Sequence, residues 1–139
     1  MVFSCESSKA RGMSSENQSA PLTLERFWRW LSEHPNCVIR AGTPDSTLFD
    51  FEDYHWEFHE EEEGHAIAAL IRGKNLVGEL VIDKTSALFV QSSIDVEAPQ
   101  SGHWMFEIIG GGKDEPLPVA FFVMSHGLES AAGHQMLKH

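Results

Sequence analysis

The chain has 139 residues, ten Lys and Arg against 21 Asp and Glu, and a formal charge of −11. One domain is the default at this length, and a body of this size buries a core without a disulfide or metal staple. The 42% hydrophobic and 10% aromatic content is that of a globular protein, and the negative balance argues against a nucleic-acid backbone or an anionic membrane surface as partner.

Residues 1–21 are polar and carry no periodic apolar pattern, so a disordered N-terminal tail is expected there. Met1 to Phe3 is followed by Ser4-Cys5-Glu6 with no apolar h-region, so no signal peptide is expected. Cys5 and Cys37, two isolated thiols, do not make a disulfide framework, which fits a reducing, cytoplasmic setting. The longest apolar runs, such as Val119 to Met124, fall far short of the ~20 residues of a membrane span.

The ordered part is expected over 22–127. Thr23 is suited to cap a helix, with Leu22 and Phe27 as a hydrophobic staple. Leu24, Phe27, Trp28 and Leu31 recur at i, i+3, i+4 and i+7 on one stripe. Pro35 predicts an end near His34. Trp30 lies off the stripe and is expected to widen the buried face.

Strand signals follow from Cys37 onward. Cys37 to Ala41 leads to a turn at Gly42–Asp45, and Thr47 to His59 forms one long extended stretch. In its second half Tyr54, Trp56 and Phe58 share one face and His55, Glu57 and His59 the other. Further strands are predicted at Ala66–Arg72, Leu76–Ile82, Ala87–Ser92, His103–Ile109 and Val119–Met124, with a long loop over Gly110–Pro116. Links of this length suit antiparallel pairing.

The predicted class is α+β, an N-terminal amphipathic helix on a six- or seven-stranded antiparallel meander, strongly curled or half-barrel. The other way to bury the second sheet face is a homodimer. Residues 128–139 are a C-terminal tail or a short helix.

The charge is local. Asp45, Asp50, Glu52, Asp53, Glu57 and Glu60 to Glu63 place nine of the 21 carboxylates in one stretch with no Lys or Arg among them. A solvated hairpin that resists edge pairing needs such a strip; so does a surface that docks another protein's basic patch. On the second reading Asp50, Glu52, Asp53, Tyr54, Trp56, Glu60, Glu61, Glu62 and Glu63 form the interaction surface.

His55, Glu57 and His59, spaced by two on one strand face, are the candidate metal ligands, and His65 could join them across the Gly64 turn. The trio shares with the cupin metal motif only the use of His and Glu on strands, and the order of ligands differs. For catalysis no residue set is assigned. Ser125 and His126 are adjacent on a strand and point to opposite faces. Cys37 is expected to be a small buried filler. Gly110–Lys113 lacks the order of a phosphate loop. Glu107 shares a face with Met105 and Ile109, where a carboxylate acts as an acid or pairs with Arg40 or Arg72.

The expected function is that of a non-enzymatic, acidic protein-interaction module, in the role of an accessory or regulatory subunit and without a cofactor. The alternative is a barrel-like domain that binds a small molecule or metal, with enzymatic activity. A closed apolar cavity where Glu107, His103 or His55 converge would mark the alternative.

Overall fold

The computed structural model describes residues 21–112 and 114–128. The expected tails, apart from Pro21 and Leu128, lie outside the described residues. The first described element is helix α1, Leu24–Ser32. Thr23 caps it as predicted: its hydroxyl accepts the Arg26 amide at 3.1 Å. Glu25 in the first turn and Arg29 in the last complement the helix dipole. The helix stops two residues short of His34, and Pro35–Cys37 forms a 3-10 turn that hands the chain to the first strand.

Among the described residues eight strands follow: β1 Val38–Thr43, β2 Ser46–Phe49, β3 Tyr54–Glu61, β4 His65–Arg72, β5 Asn75–Asp83, β6 Phe89–Ile94, β7 Trp104–Gly112 and β8 Glu115–Met124. Every pairing between them is antiparallel. They do not form one curled meander. One sheet has five strands in the order β2-β1-β8-β7-β6, and a second has three in the order β3-β4-β5. The chain leaves the first sheet at 50–53, so the stretch predicted as one long strand is β2 and β3, in different sheets. It returns at β6, and β8 closes beside β1.

The helix binds the two sheets into one core. Phe27, fully buried, stacks on Phe106 of β7 at 5.1 Å between ring centroids and tilts on Phe122 of β8 at 5.7 Å. Trp28 meets Phe122 edge-on and also meets Phe58 of β3 edge-on at 5.6 Å. From the small sheet, Trp56, Ala68, Leu70 and Leu80 complete the cluster. The stripe read at 3.6-residue spacing therefore stands where both sheets meet. Trp30 is half-buried, with its ring 5.2 Å from that of Phe106.

Residues at both phases of β4 are buried: Ala66, Ala68 and Leu70 in the core, and Ile67 and Ala69 on the other face, between residues of β3 and β5. Gly110–Pro116 is not a long loop. The ladder of β7 and β8 runs out to Gly112 and Glu115, with Gly111 at φ 85, where the absence of a Cβ removes the strain. Pro116 and Pro118 fit in β8 because β1 pairs with it only over 121–124, which leaves an open side along 115–120.

Candidate functional site

The acidic stretch divides between two places. Asp50, Glu52 and Asp53 lie on the connection between the sheets, all exposed. Glu60 to Glu63 form the end of β3 and its turn into β4, also exposed. The strand between them obeys the predicted alternation: His55, Glu57, His59 and Glu61 face outward. Tyr54 and Phe58 are half-buried on the inner face, and Trp56 is 4% exposed. Trp56 is thus a core residue behind the acidic strip, because its face is the one turned to the helix.

At the hairpin end the charge is partly offset. Lys84 donates to Glu60 at 2.6 Å, and its amide is tied to Gly64 at 2.8 Å. The carboxyl of Asp83, opposite His65 in the ladder, is held below the usual Asp value. The first cause is the hydrogen bond from the Thr85 hydroxyl at 2.7 Å, followed by that from the Thr85 amide at 3.0 Å; nearby His65 adds to it. A lowered folded-state value means that this turn's contribution is present above the ordinary Asp range and is lost as pH falls through the folded value. Thr85→Val should raise the Asp83 midpoint toward the ordinary value, read from its side-chain carboxyl carbon in an NMR titration.

His55, Glu57 and His59 share the outward face of β3. His55 and Glu57 meet at 3.0 Å on the surface. Among the described residues the set whose ligand atoms come within 4.8 Å of one another is Glu61, Glu63 and His65, which does not include His55, Glu57 or His59. All of these carboxylates are exposed, with His65 closest to Glu61 at 3.7 Å.

Glu107 pairs with neither arginine. It accepts a hydrogen bond from Gln91 at 3.0 Å, the residue opposite it in the β6–β7 ladder. It lines an open hollow of about 360 Å³ with Pro44, Pro118, Ala120 and Phe121; neither His55 nor His103 lines that hollow. Cys37 is not a buried filler on a strand. It closes the 3-10 turn and is half-buried beside His126.

A groove of about 410 Å³ lies between the two sheets, lined by Thr47, Leu48, Phe49, Asp50, Phe51, Tyr54, Leu70 and Val77. Its walls are built locally. Asp50 donates its amide to Ile39 at 3.0 Å, which ends β2 against β1, and Tyr54 donates to Phe51 at 3.0 Å, which turns the chain into β3. Leu48 closes over Gly78 of β5, where a Cβ would lie 2.6 Å from its methyl carbon. The glycine lets β2 approach the small sheet, and the space beside that contact is the groove. In that lining Phe49 is 61% exposed, Phe51 65% and Val77 42%. Large apolar side chains this exposed, side by side and rimmed by carboxylates, are what a contact surface requires.

Of the predicted surface residues, the groove gathers Asp50 and Tyr54, with Glu52 and Asp53 in the turn beside it. Glu60 to Glu63 stand at the other end of β3. Phe49, Phe51 and Val77 were not expected at a site. The signal available for them was the pair of Phe flanking Asp50 and the apolar start of β5 on a strand with polar neighbours. Comparisons with protein-family models, curated proteins and solved structures return no match to this chain.

Proposed function

We propose that the protein is a non-enzymatic interaction module whose groove takes an extended segment of another protein, anchored by aliphatic or aromatic side chains and flanked by Lys or Arg. The observation that carries this is the exposed apolar lining at Phe49, Phe51 and Val77 beside Asp50, Glu52 and Asp53. An apolar lining supplies affinity, and one-signed charge at the rim supplies orientation and encounter rate. Arg72 and Lys74 lie at the same end of the small sheet, since Arg72 pairs with Tyr54 and Lys74 follows in the turn. Asp50, Glu52 and Asp53 outnumber them there. An accessory or regulatory role in the cytoplasm is the biological setting this reading suits.

The test uses two synthetic peptides with the same Leu-Leu-Phe centre, one flanked by Arg and Lys and the other by Glu, titrated into the full chain and followed by amide chemical shifts. The basic peptide should shift the amides of Phe49, Phe51 and Val77, and the acidic one should not. Val77→Glu should weaken the basic peptide at least about tenfold, roughly 1.4 kcal/mol, and Asp50→Asn with Asp53→Asn should flatten the salt dependence. Equal binding of both peptides, or shifts confined to Glu60–Glu63, would remove the groove from the account. Concentration-dependent self-association that Val77→Glu abolishes would assign the groove to a second copy of this chain instead.

A further inference from the structure

The end of β8 and the 3-10 turn before β1 bring together two groups that are 89 residues apart in sequence: Cys37 Sγ lies 3.2 Å from His126 Nε2. Their backbones are joined where the β1–β8 ladder ends, since Ser125 donates its amide to the Cys37 carbonyl at 2.8 Å. The ring of His126 is fixed from three sides. Its Nδ1 lies 3.2 Å from the Gly127 carbonyl, Trp30 packs edge-on at 5.7 Å, and His34 packs edge-on at 5.4 Å. Trp104 closes on Gly127 so tightly that a Cβ there would lie 3.0 Å from the indole.

A carbonyl can only accept, so Nδ1 of His126 carries the ring hydrogen and donates it to Gly127. Nε2 is left with its lone pair toward the thiol, which donates its hydrogen. Base and nucleophile are in contact, and the base is oriented by a third group, the arrangement that activates a thiol. His34, the other titratable group on this ring, donates its Nδ1 hydrogen to Trp30 O at 2.7 Å. Cys37 is half-buried and so open in part to a small reagent.

We propose that Cys37 and His126 form a reactive thiol site that takes low-molecular-weight disulfides. In the step, Cys37 sulfur attacks one sulfur of the disulfide while His126 Nε2 takes the thiol proton. The disulfide's S–S bond breaks, a new S–S bond forms to Cys37, and the departing sulfur leaves with the bonding pair and receives the proton from His126. The disulfide is the oxidant and one equivalent of thiol is the reduced product. Displacement at sulfur suits the site better than acyl transfer. An acyl intermediate needs amide donors for its oxyanion, and here the Cys37 amide bonds His34 O, the Val38 amide bonds Pro35 O and the Ser125 amide bonds Cys37 O. This site is independent of the groove: it is built from the helix end, the 3-10 turn and the end of β8.

The experiment follows release of 2-thiopyridone from 2,2′-dithiodipyridine by the full chain carrying Cys5→Ser, so that one thiol is read. One equivalent should appear, and at pH 7 the rate should exceed that of the Cys5→Ser, His126→Gln chain by about tenfold to a hundredfold, at or below the usual range for a positioned base. The ratio should narrow as pH rises, because hydroxide then does what the imidazole did. Where His126→Gln fails to fold, the comparison is the Cys5→Ser chain in urea: the folded chain should react faster at pH 7 than the unfolded one. Equal rates with and without His126 at every pH would overturn the proposal, as would a folded chain no faster than the unfolded one. A thiol that stays silent until a chelator is added would overturn it too, and would assign the pair to a soft metal ion.

Discussion

Phe27→Ala should cost about 3–5 kcal/mol, the range for removing a fully buried aromatic ring. The side chain is 0% exposed and touches ring faces on two strands of the large sheet, Phe106 and Phe122. Its helix neighbour Trp28 carries the contact to Phe58 of the small sheet. A cavity at Phe27 therefore opens where three elements converge, and no single side chain can relax to fill it. Domains of this kind hold only about 5–15 kcal/mol in total, so this one change removes a large share. Urea unfolding should show a lower midpoint with an unchanged slope, the mark of lost stability rather than an altered unfolded state. Phe27→Leu, which keeps most of the volume, should lose about 1.5 kcal/mol or less. A loss below 1 kcal/mol for the alanine variant would mean that the helix is not part of the shared core.

The periodicity that places Phe27 in the core is local, and local features were legible. The cap at Thr23, the stripe of Phe27, Trp28 and Leu31, and the faces of Tyr54–Glu61 all follow from a few adjacent residues. Partners across sequence were not. A strand carries the same alternation whichever sheet it joins, so nothing between Thr47 and His59 marks the change of sheet at 50–53. The closure of β8 on β1 pairs Ala41 with Phe122, and backbone hydrogen bonds of this kind leave no trace in side-chain pattern. Gly110 to Gly112 read as loop because glycine lacks a side chain to pack, yet their ladder with β8 uses only the main chain.

The same division explains the sites. The acidic strip was visible because charge is counted along the chain. The groove depends on Leu48 and Val77 coming together from different sheets, with Gly78 as the permissive residue. The Cys37–His126 pair depends on strand register at the ladder end. Trp56 shows the opposite error: an aromatic in an acidic segment suggests an anchor, but its phase along β3 turns it to the core.

Arg40→Ala should be comparably destabilising, about 3–5 kcal/mol, because it leaves a charge buried without its partner. Arg40 is on β1 and its guanidinium lies 3.3 Å from Oδ1 of Asp95, which follows β6, the third strand along in the sheet. In the register Val123 and Met105 lie between Arg40 and Ser93, so the ion pair joins strands from across the large sheet. Val123, the register partner of Arg40, is 0% exposed. Asp95 is also 0% exposed; Oδ1 accepts the Glu97 amide at 3.2 Å, while Oδ2 meets no donor among the described residues. The carboxylate thus relies on one guanidinium and one amide. The second contact of Arg40, to Glu97 at 3.1 Å, involves a carboxylate 74% exposed, and exposed pairs are worth about 0–1 kcal/mol. Glu97→Gln should therefore change stability by no more than about 1 kcal/mol. Adding Asp95→Asn to Arg40→Ala removes the stranded charge and keeps an oxygen for the Glu97 amide, so it should recover more than half of the loss. Urea midpoints of the three variants separate the cases: no recovery in the double variant would mean that Arg40 acts by packing, and not by neutralising Asp95.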